Sequence, residues 1–413
     1  MDRIILHSDL NNFYASVECL YAPELRGIPF AVAGDPAVRH GIVLAKNELA
    51  KRCGVQTGDA LWQAEQKCPG IRFVRPHHSR YAAYSKAVQE IYAAYTDRVQ
   101  PFGLDECWLD VTGSTGLFGD GPEIAAALRA RIHAELGLTA SVGVSFNKVF
   151  AKLGSDLKKP DATTAIPRAH FQEIVWPLPA GALLFAGRAT CEKLGRYCIH
   201  TIGDLAASDE KFLRRLLGKN GVTLWNYANG RDASPVTAIG DAPEIKSIGN
   251  STTTPWDLTA AEDIRAALYL LCESVSARLR EKGYLCRTVQ LGVRDDRLLS
   301  YERQGALAVP ARSTESLFEK AFSLFRDSHP RGKPVRTLSV RACSLLSEKH
   351  EQLSLFPGTG HLQKQESLDA AVDAVRARFG HDAVQRGLFL SRSLAELSRG
   401  AGHLTAACSF LPV

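Results

Sequence analysis

Three acidic side chains stand where short apolar strands are expected to end or begin. Asp9 closes the run Ile4-Ile5-Leu6-His7-Ser8, and the pair Asp105-Glu106 opens Cys107-Trp108-Leu109-Asp110-Val111. Neighbouring strands of a split β-α-β sheet would bring these ends together, and three carboxylates meeting there repel unless divalent cations neutralise them. Two Mg²⁺ ions about 3.5–4 Å apart would do so and would stabilise both the attacking and the leaving oxygen of an in-line phosphoryl transfer. Acids at strand ends also serve simply to meet water, and spacing alone leaves both readings open. Asp110 lies in the same strand but five residues on, near the opposite end, and is read as structural.

A basic set accompanies the acids. Lys148 and Lys152 lie on a helix entered from the strand that ends at Ser145, and Lys158-Lys159-Pro160 follows. Amines near the carboxylate end of a sheet suit a triphosphate that must meet the metals, although a solvated helix face has the same pattern. A second concentration of charge falls between 246 and 347, where 16 Lys and Arg face 11 Asp and Glu and so hold most of the formal +6. An exposed basic sheet of this kind fits a nucleic-acid backbone or an ordinary solvated surface.

The elements that must carry these groups need several domains, since 413 residues exceed one ordinary hydrophobic core. An apolar fraction of 45% with 23% charged residues excludes disorder, collagen-like repeats and disulfide scaffolds. The ten cysteines are scattered without a C-x-x-C pair, no signal peptide precedes Arg3, and no apolar run reaches the roughly 18 residues of a membrane span. A cytoplasmic protein with reduced thiols and no membrane is expected.

Periodicity places strands at 3–10, 28–33 and 41–45, short helices at 47–53 and 60–67, a helix at 81–95, a strand from 104, a helix at 123–136, a strand at 140–144 and a helix at 147–157. From Phe171 to Tyr227 the pattern is helical throughout, broken at Gly195, Gly203 and Gly218. After the Pro/Ala/Gly/Asp stretch 235–243 a second β-α-β-β-α-β unit is expected: strand 245–253, helix 260–282, strands 285–294 and 299–309, helix 314–328 and strand 335–346.

Three segments resemble, in order and spacing, the signatures of Y-family translesion DNA polymerases of the DinB/UmuC type. They are Asp9-Leu10-Asn11-Asn12-Phe13-Tyr14-Ala15-Ser16-Val17-Glu18, Leu104-Asp105-Glu106-Cys107-Trp108-Leu109-Asp110, and Gly143-Val144-Ser145-Phe146-Asn147-Lys148-Val149-Phe150-Ala151-Lys152. The likeness covers about residues 1–347. It implies an α+β multidomain right hand: a split βαβ, ferredoxin-like palm (1–10 and 79–168), small inserted fingers (11–78), a helical thumb (169–236), a linker (237–244) and a βαββαβ little finger (245–347). It also implies a template-directed DNA polymerase that adds dNMPs to a primer 3′ end by two-metal chemistry, with low fidelity and no proofreading. In the family's pattern Asp9 and Asp105 bridge two Mg²⁺ ions, Glu106 helps hold the ion that activates the 3′-hydroxyl, and the Leu10 carbonyl touches the nucleotide-bound ion. Phe13 and Tyr14 would lie beneath the incoming sugar, Tyr14 as the steric gate against a ribose 2′-hydroxyl.

Several positions depart from that pattern. Where many relatives carry Asn-Tyr-x-Ala-Arg in the fingers, this chain has Asn47-Glu48-Leu49-Ala50-Lys51. Lys51 supplies charge without a bidentate fork, and Glu48 is expected to face away or be paired. Lys159 aligns with a second phosphate-binding lysine, and Gly103 and Asn11 replace a common Ser and Asp. In the thumb, 186–194 and 201–205 resemble a helix-hairpin-helix in which Phe185 takes the place of the usual first glycine. The tail, 348–413, contains Gln352-Leu353-Ser354-Leu355-Phe356, which resembles the peptide that docks bacterial polymerases on the sliding clamp, the β subunit, with Gln and Leu-Phe as anchors. Primer–template DNA, dNTP and clamp are the implied partners of a monomer. A catalytically weak DNA- and clamp-binding accessory protein is the alternative, motivated by Glu48 and Gly103; a two-metal nuclease would share the acids but not the gate.

Overall fold

The structure, a computed structural model, describes residues 2–34, 41–241, 244–330, 332–348 and 359–389. Its described residues fall into two compact units, 2–241 and 244–389.

In the first unit β1 (Ile5–Leu10) is buried along its whole length, His7, Ser8 and Asp9 included. It is buried because it is central: the five-stranded sheet runs β5 (Val99–Pro101), β6 (Glu106–Asp110), β1, β7 (Ala140–Ser145), β8 (Thr163–Ile166). Both neighbours of β1 are antiparallel to it, whereas β8 is parallel to β7. Leu6, Leu10 and Leu109 share one core with Tyr92 of α4 (His78–Ala93) and with Ile124, Leu128 and Ile132 of α6 (Gly121–Leu136). The opposite face carries α7 (Lys148–Leu157), and only glycine at 143 permits it. A Cβ there would collide with the backbone of Ala151 and Ser155. That close approach sets the height of Lys152 and Ser155 above β1.

Between β1 and α4 the chain builds a smaller layer. It contains α1 (Phe13–Tyr21), β2 (Phe30–Ala33), β3 (Val43–Lys46), α2 (Glu48–Arg52), α3 (Leu61–Lys67) and β4 (Arg72–Val74), with strand order β3-β2-β4. The strands β4, β5 and β8 lie outside the sequence expectation; with three or four residues each they are too short to show alternation. After α5 (Thr115–Phe118), α6 and α7, the helices α8 (Phe171–Val175), α9 (Arg188–Gly195), α10 (Ile202–Ala207), α11 (Glu210–Leu217) and α12 (Lys219–Ala228) pack around Phe146, Phe150, Leu194, Leu213 and Leu224. Phe185 just before α9 has a φ of 68°, a conformation that explains why glycine suits this position.

The second unit is an antiparallel sheet in the order β11 (Ser300–Ala311), β10 (Tyr284–Asp295), β12 (Val335–Ser347), β9 (Ser247–Leu258). Helices α13 (Ala261–Glu281) and α14 (Thr314–Ser328) cover the face lined by Val289, Leu291, Leu338 and Val340. The alternate positions Gln290, Arg294, Ser339 and Arg341 are exposed or half-buried. This unit matches the expected β-α-β-β-α-β order element for element.

Beyond it, α15 (Thr359–Phe379) packs on α13 and α14. The apolar spacing from Leu368 to Phe379 predicts only the second part of this helix. The contact is ionic: Asp369 accepts the Thr314 backbone N–H at 2.7 Å and Arg280 at 3.2 Å, Arg280 also holds Asp373 at 2.7 Å, and Arg376 and Arg386 reach buried Glu273. Asp369 thus places negative charge at the α14 N-terminus. Part of the positive charge counted between 246 and 347 is therefore used inside the unit. Asp369→Ala leaves Arg280 held by Asp373 but removes the buried acceptor of the Thr314 N–H, and losing such a charged hydrogen bond costs about 1.5–3 kcal/mol. The expected result is faster tryptic cleavage within α15, with the 244–348 portion still protected; equal cleavage rates in variant and wild type would refute the latch.

Candidate active site

The site is set by strand register. Asp9 pairs directly with Glu106 across the β1–β6 ladder, and the Leu10 N–H donates to the Asp105 carbonyl at 3.0 Å. The two strand ends that the sequence marked with acids are thereby adjacent, and Asp110 sits at the far end opposite Ile5, accepting from Thr112. Among the described residues no three His, Cys, Asp or Glu side chains converge into a preformed metal cage. Asp9 and Glu106 are instead each paired with an amine. Lys159 donates to Asp9 at 2.6 Å and to Asp156 at 2.7 Å, and Lys152 pairs with Glu106.

Burial and the neighbouring carboxylates dominate the electrostatics. Burial pushes Asp9 up to about 6 against the pull of Lys159, with Glu106 and Asp105 adding to the rise. Asp105 is raised too, by burial and then by the charge of Glu106. Burial also acts upward on Glu106, but His7 and Lys152 outweigh it and hold the carboxyl down at about 2. The cluster therefore resists full ionisation without added positive charge. Its donors are hard carboxylate oxygens with a main-chain carbonyl alongside, the set that fits Mg²⁺-like cations.

His7 was passed over in the sequence, although period-two alternation puts it on the same face as Asp9. It is fully buried, edge-on to the Trp108 ring, with Nδ1 2.9 Å from the Ser155 hydroxyl, which itself donates to the Lys152 carbonyl. Burial lowers its pKa against the upward pull of Glu106. Its Nε2 lies 3.3 Å from Glu106 Oε2 but lacks a well-directed hydrogen bond. The ring thus connects α7 to the acid at the β6 start.

Lys148 does not join this group. One turn before Lys152, its amine donates to Gln100 at 2.8 Å and lies 4.6 Å from the Trp108 ring centre, so the expected row of triphosphate amines reduces to Lys152 and Lys159.

The turn from β1 into α1 is made by Asn12 in the left-handed region, φ 49°, which asparagine tolerates. It brings Phe13, buried, and Tyr14, half-buried, under the end of the sheet. The Tyr14 ring stacks on Tyr81, 4.1 Å between centres and 9° between planes. Tyr81 is itself fixed, donating to buried Glu18 at 2.5 Å and accepting the His77 N–H at 3.1 Å. Glu48, the acid that stood where a triphosphate-gripping tyrosine was expected, is paired: Asn12 donates to it at 3.0 Å and Lys51 lies at 3.3 Å. The Asn12 hydrogen bond lowers its pKa. Lys51 is half exposed. Gln352, Leu353, Ser354, Leu355 and Phe356 lie outside the described residues.

Comparison with known proteins agrees with this arrangement. The impB/mucB/samB family matches residues 8–156 and its C-terminal domain matches 245–355. DNA polymerase IV of Acetivibrio thermocellus is 53% identical over 94% of this chain and 98% of its own length, and that of Pelotomaculum thermopropionicum is 38% identical over 96% and 98%. A solved Y-family DNA polymerase chimera has the same fold, with a TM-score of 0.75 at 22% identity over 83% of this chain and 99% of its own. With acids at paired strand ends, an aromatic pair beneath them and relatives matched over nearly their full length, the chain belongs to the impB/mucB/samB family of Y-family DNA polymerases.

Proposed function

We propose that the chain is a translesion DNA polymerase whose chemistry is carried by Asp9, Asp105 and Glu106 and is supported by two Mg²⁺ ions. The observation that supports the reading most is the Asp9–Glu106 register pair with Asp105 beside it. Divalent-metal dependence belongs to the family, while the identity and number of the ions are part of this proposal. The three carboxylates and the Leu10 carbonyl would hold the ions, which supply positive charge to the attacking 3′-oxygen and the leaving pyrophosphate oxygen. Lys159 pairs with Asp9 and Lys152 with Glu106, and Lys159 is free to turn its amine to the triphosphate once cations replace it at Asp9. Lys51 adds charge from α2, with Glu48 held by Asn12 rather than aimed at the phosphates. Phe13 and Tyr14 form the floor beneath the sugar.

In this reading 1–10 with 79–168 is the palm, 11–78 the fingers, 169–236 the thumb, 237–244 a linker and 245–347 the little finger. The exposed polar sheet face of the second unit would follow the DNA backbone. Primer extension with Mg²⁺ and four dNTPs tests the assignment, and a wild-type protein that extends no primer would refute it. Glu48, once a reason to consider an accessory protein, is now accounted for by its pairing, so the polymerase reading is preferred.

Residues 352–356 are proposed to dock on the bacterial sliding clamp while the polymerase itself is a cytoplasmic monomer. Deleting them should remove clamp stimulation, a loss of about tenfold or more in processive synthesis at limiting enzyme, and leave basal extension intact. Stimulation that persists after the deletion would refute the clamp assignment.

A further inference from the structure

Glu18 ends the first of the three signature segments, four residues after Tyr14, so the two side chains share one face of α1. It is 2% exposed and has partners different from those of the acid cluster. A buried carboxylate needs such partners. Glu18 Oε1 accepts the Tyr81 hydroxyl at 2.5 Å, a length typical of a charge-assisted O–H···O⁻ bond. His77 Nδ1 lies 2.9 Å from the same oxygen, and Arg80 Nη1 donates to Oε2 at 3.4 Å. The Arg80 guanidinium is in turn seated over the Tyr21 ring, 4.1 Å from its centre.

Tyr81 therefore spans two positions of α1, with its ring on Tyr14 and its hydroxyl on Glu18. A ring held by stacking alone can slide, whereas one tied also at its hydroxyl must break that bond to move. An acceptor that moved with the phenol would hold nothing. Glu18 is kept from following by His77, at the N-terminal cap of α4, and by Arg80 one turn on.

We propose that Glu18 is a positioning residue for sugar selection: by holding the Tyr81 hydroxyl it fixes the plane on which the Tyr14 ring rests, and so sets how firmly the site refuses a ribonucleotide. It acts through Tyr81 and Tyr14. The inference deepens the polymerase reading and rests on Tyr14 being the sugar gate.

Tyr81→Phe is the sharpest probe, because it keeps the ring and its stack and removes only the hydroxyl. Single-nucleotide insertion with matched rNTP and dNTP should show discrimination loosened about fivefold, the worth of one hydrogen bond, with most of the change in kcat/KM for the ribonucleotide. Glu18→Gln keeps shape and an acceptor oxygen but loses charge, and should loosen discrimination by about two- to threefold. The ratio between the two substrates does not depend on how much of the protein is folded, so a loss of stability cannot imitate the effect. Neither variant should loosen discrimination further in a Tyr14→Ala background, since the ring they steady is gone. Wild-type discrimination in either variant would overturn the proposal, as would an equal loosening with and without Tyr14. If Tyr14→Ala itself left discrimination unchanged, the gate reading would fall and this inference with it. A loosened Tyr14→Ala beside an unchanged Tyr81→Phe removes the inference alone.

Discussion

Asp105→Ala is expected to lower primer extension by roughly 10³-fold or more while leaving the melting temperature unchanged or raised. The two halves of this result have one cause. The Asp105 main chain is structural, since its carbonyl accepts the Leu10 N–H and closes the β1–β6 ladder, and alanine retains it. The side chain works against the fold: burial and the charge of Glu106 both oppose its ionisation. Removing it relieves repulsion in a protein without bound cations and deletes a ligand from the site that must gather them. Asp105→Asn is the sharper control, because it keeps shape and volume and loses only charge, and it should be comparably inactive. Primer extension and thermal melting, run on the same preparations, check both. Activity surviving in either variant would remove Asp105 from the catalytic set, and a melting temperature several degrees lower would mean that the carboxylate is structural.

Much of this site could be read from residue order because strand ends are local. Asp9 and Asp105-Glu106 each terminate or begin an alternating segment, and one topological assumption, that those strands are neighbours, brings them together. The second unit was readable for the same reason: its strands run 12 or 13 residues and its two helices 15 and 21, long enough for period and turn signals to agree. What escaped depended on distant partners. His7 became visible as a link to Glu106 only when α7 brought Ser155 within 2.9 Å, which in turn required glycine at 143. Lys148 had the right spacing but the wrong angle, one turn from Lys152 and directed at Gln100. Asn12, which donates to Glu48, lies 36 residues away from it, on a turn that no helical period predicts. The ionic docking of α15 joins residues about 90 apart, such as Arg280 and Asp369, and charge pairing at that separation leaves no pattern in the chain.

Tyr14→Ala is expected to raise ribonucleotide incorporation relative to deoxynucleotide by about 10²-fold, mainly through a better kcat/KM for the ribonucleotide. A gate discriminates only if its ring cannot swing aside, since a freely moving ring would yield at little cost. Here the ring is held. Tyr81 stacks on it almost face to face, and Tyr81 is fully buried and tied at both sides of its hydroxyl, donating to Glu18 and accepting from His77. Phe13, buried beside it, blocks a second direction. A 2′-hydroxyl meeting such a wall costs a few kcal/mol, and about 2.7 kcal/mol corresponds to the hundredfold change. Deoxynucleotide addition should fall much less, because alanine opens space without removing a charge. The measurement is single-nucleotide insertion kinetics with matched rNTP and dNTP pairs. Unchanged sugar discrimination would return Tyr14 to the role of a packing aromatic. The same reasoning orders a second variant: Tyr81→Leu leaves the Tyr14 ring in place but removes its stacking partner, so it should loosen discrimination by less than Tyr14→Ala does. If Tyr81→Leu left discrimination at the wild-type value while Tyr14→Ala abolished it, the ring would be held by α1 alone and the stack would carry none of the selectivity.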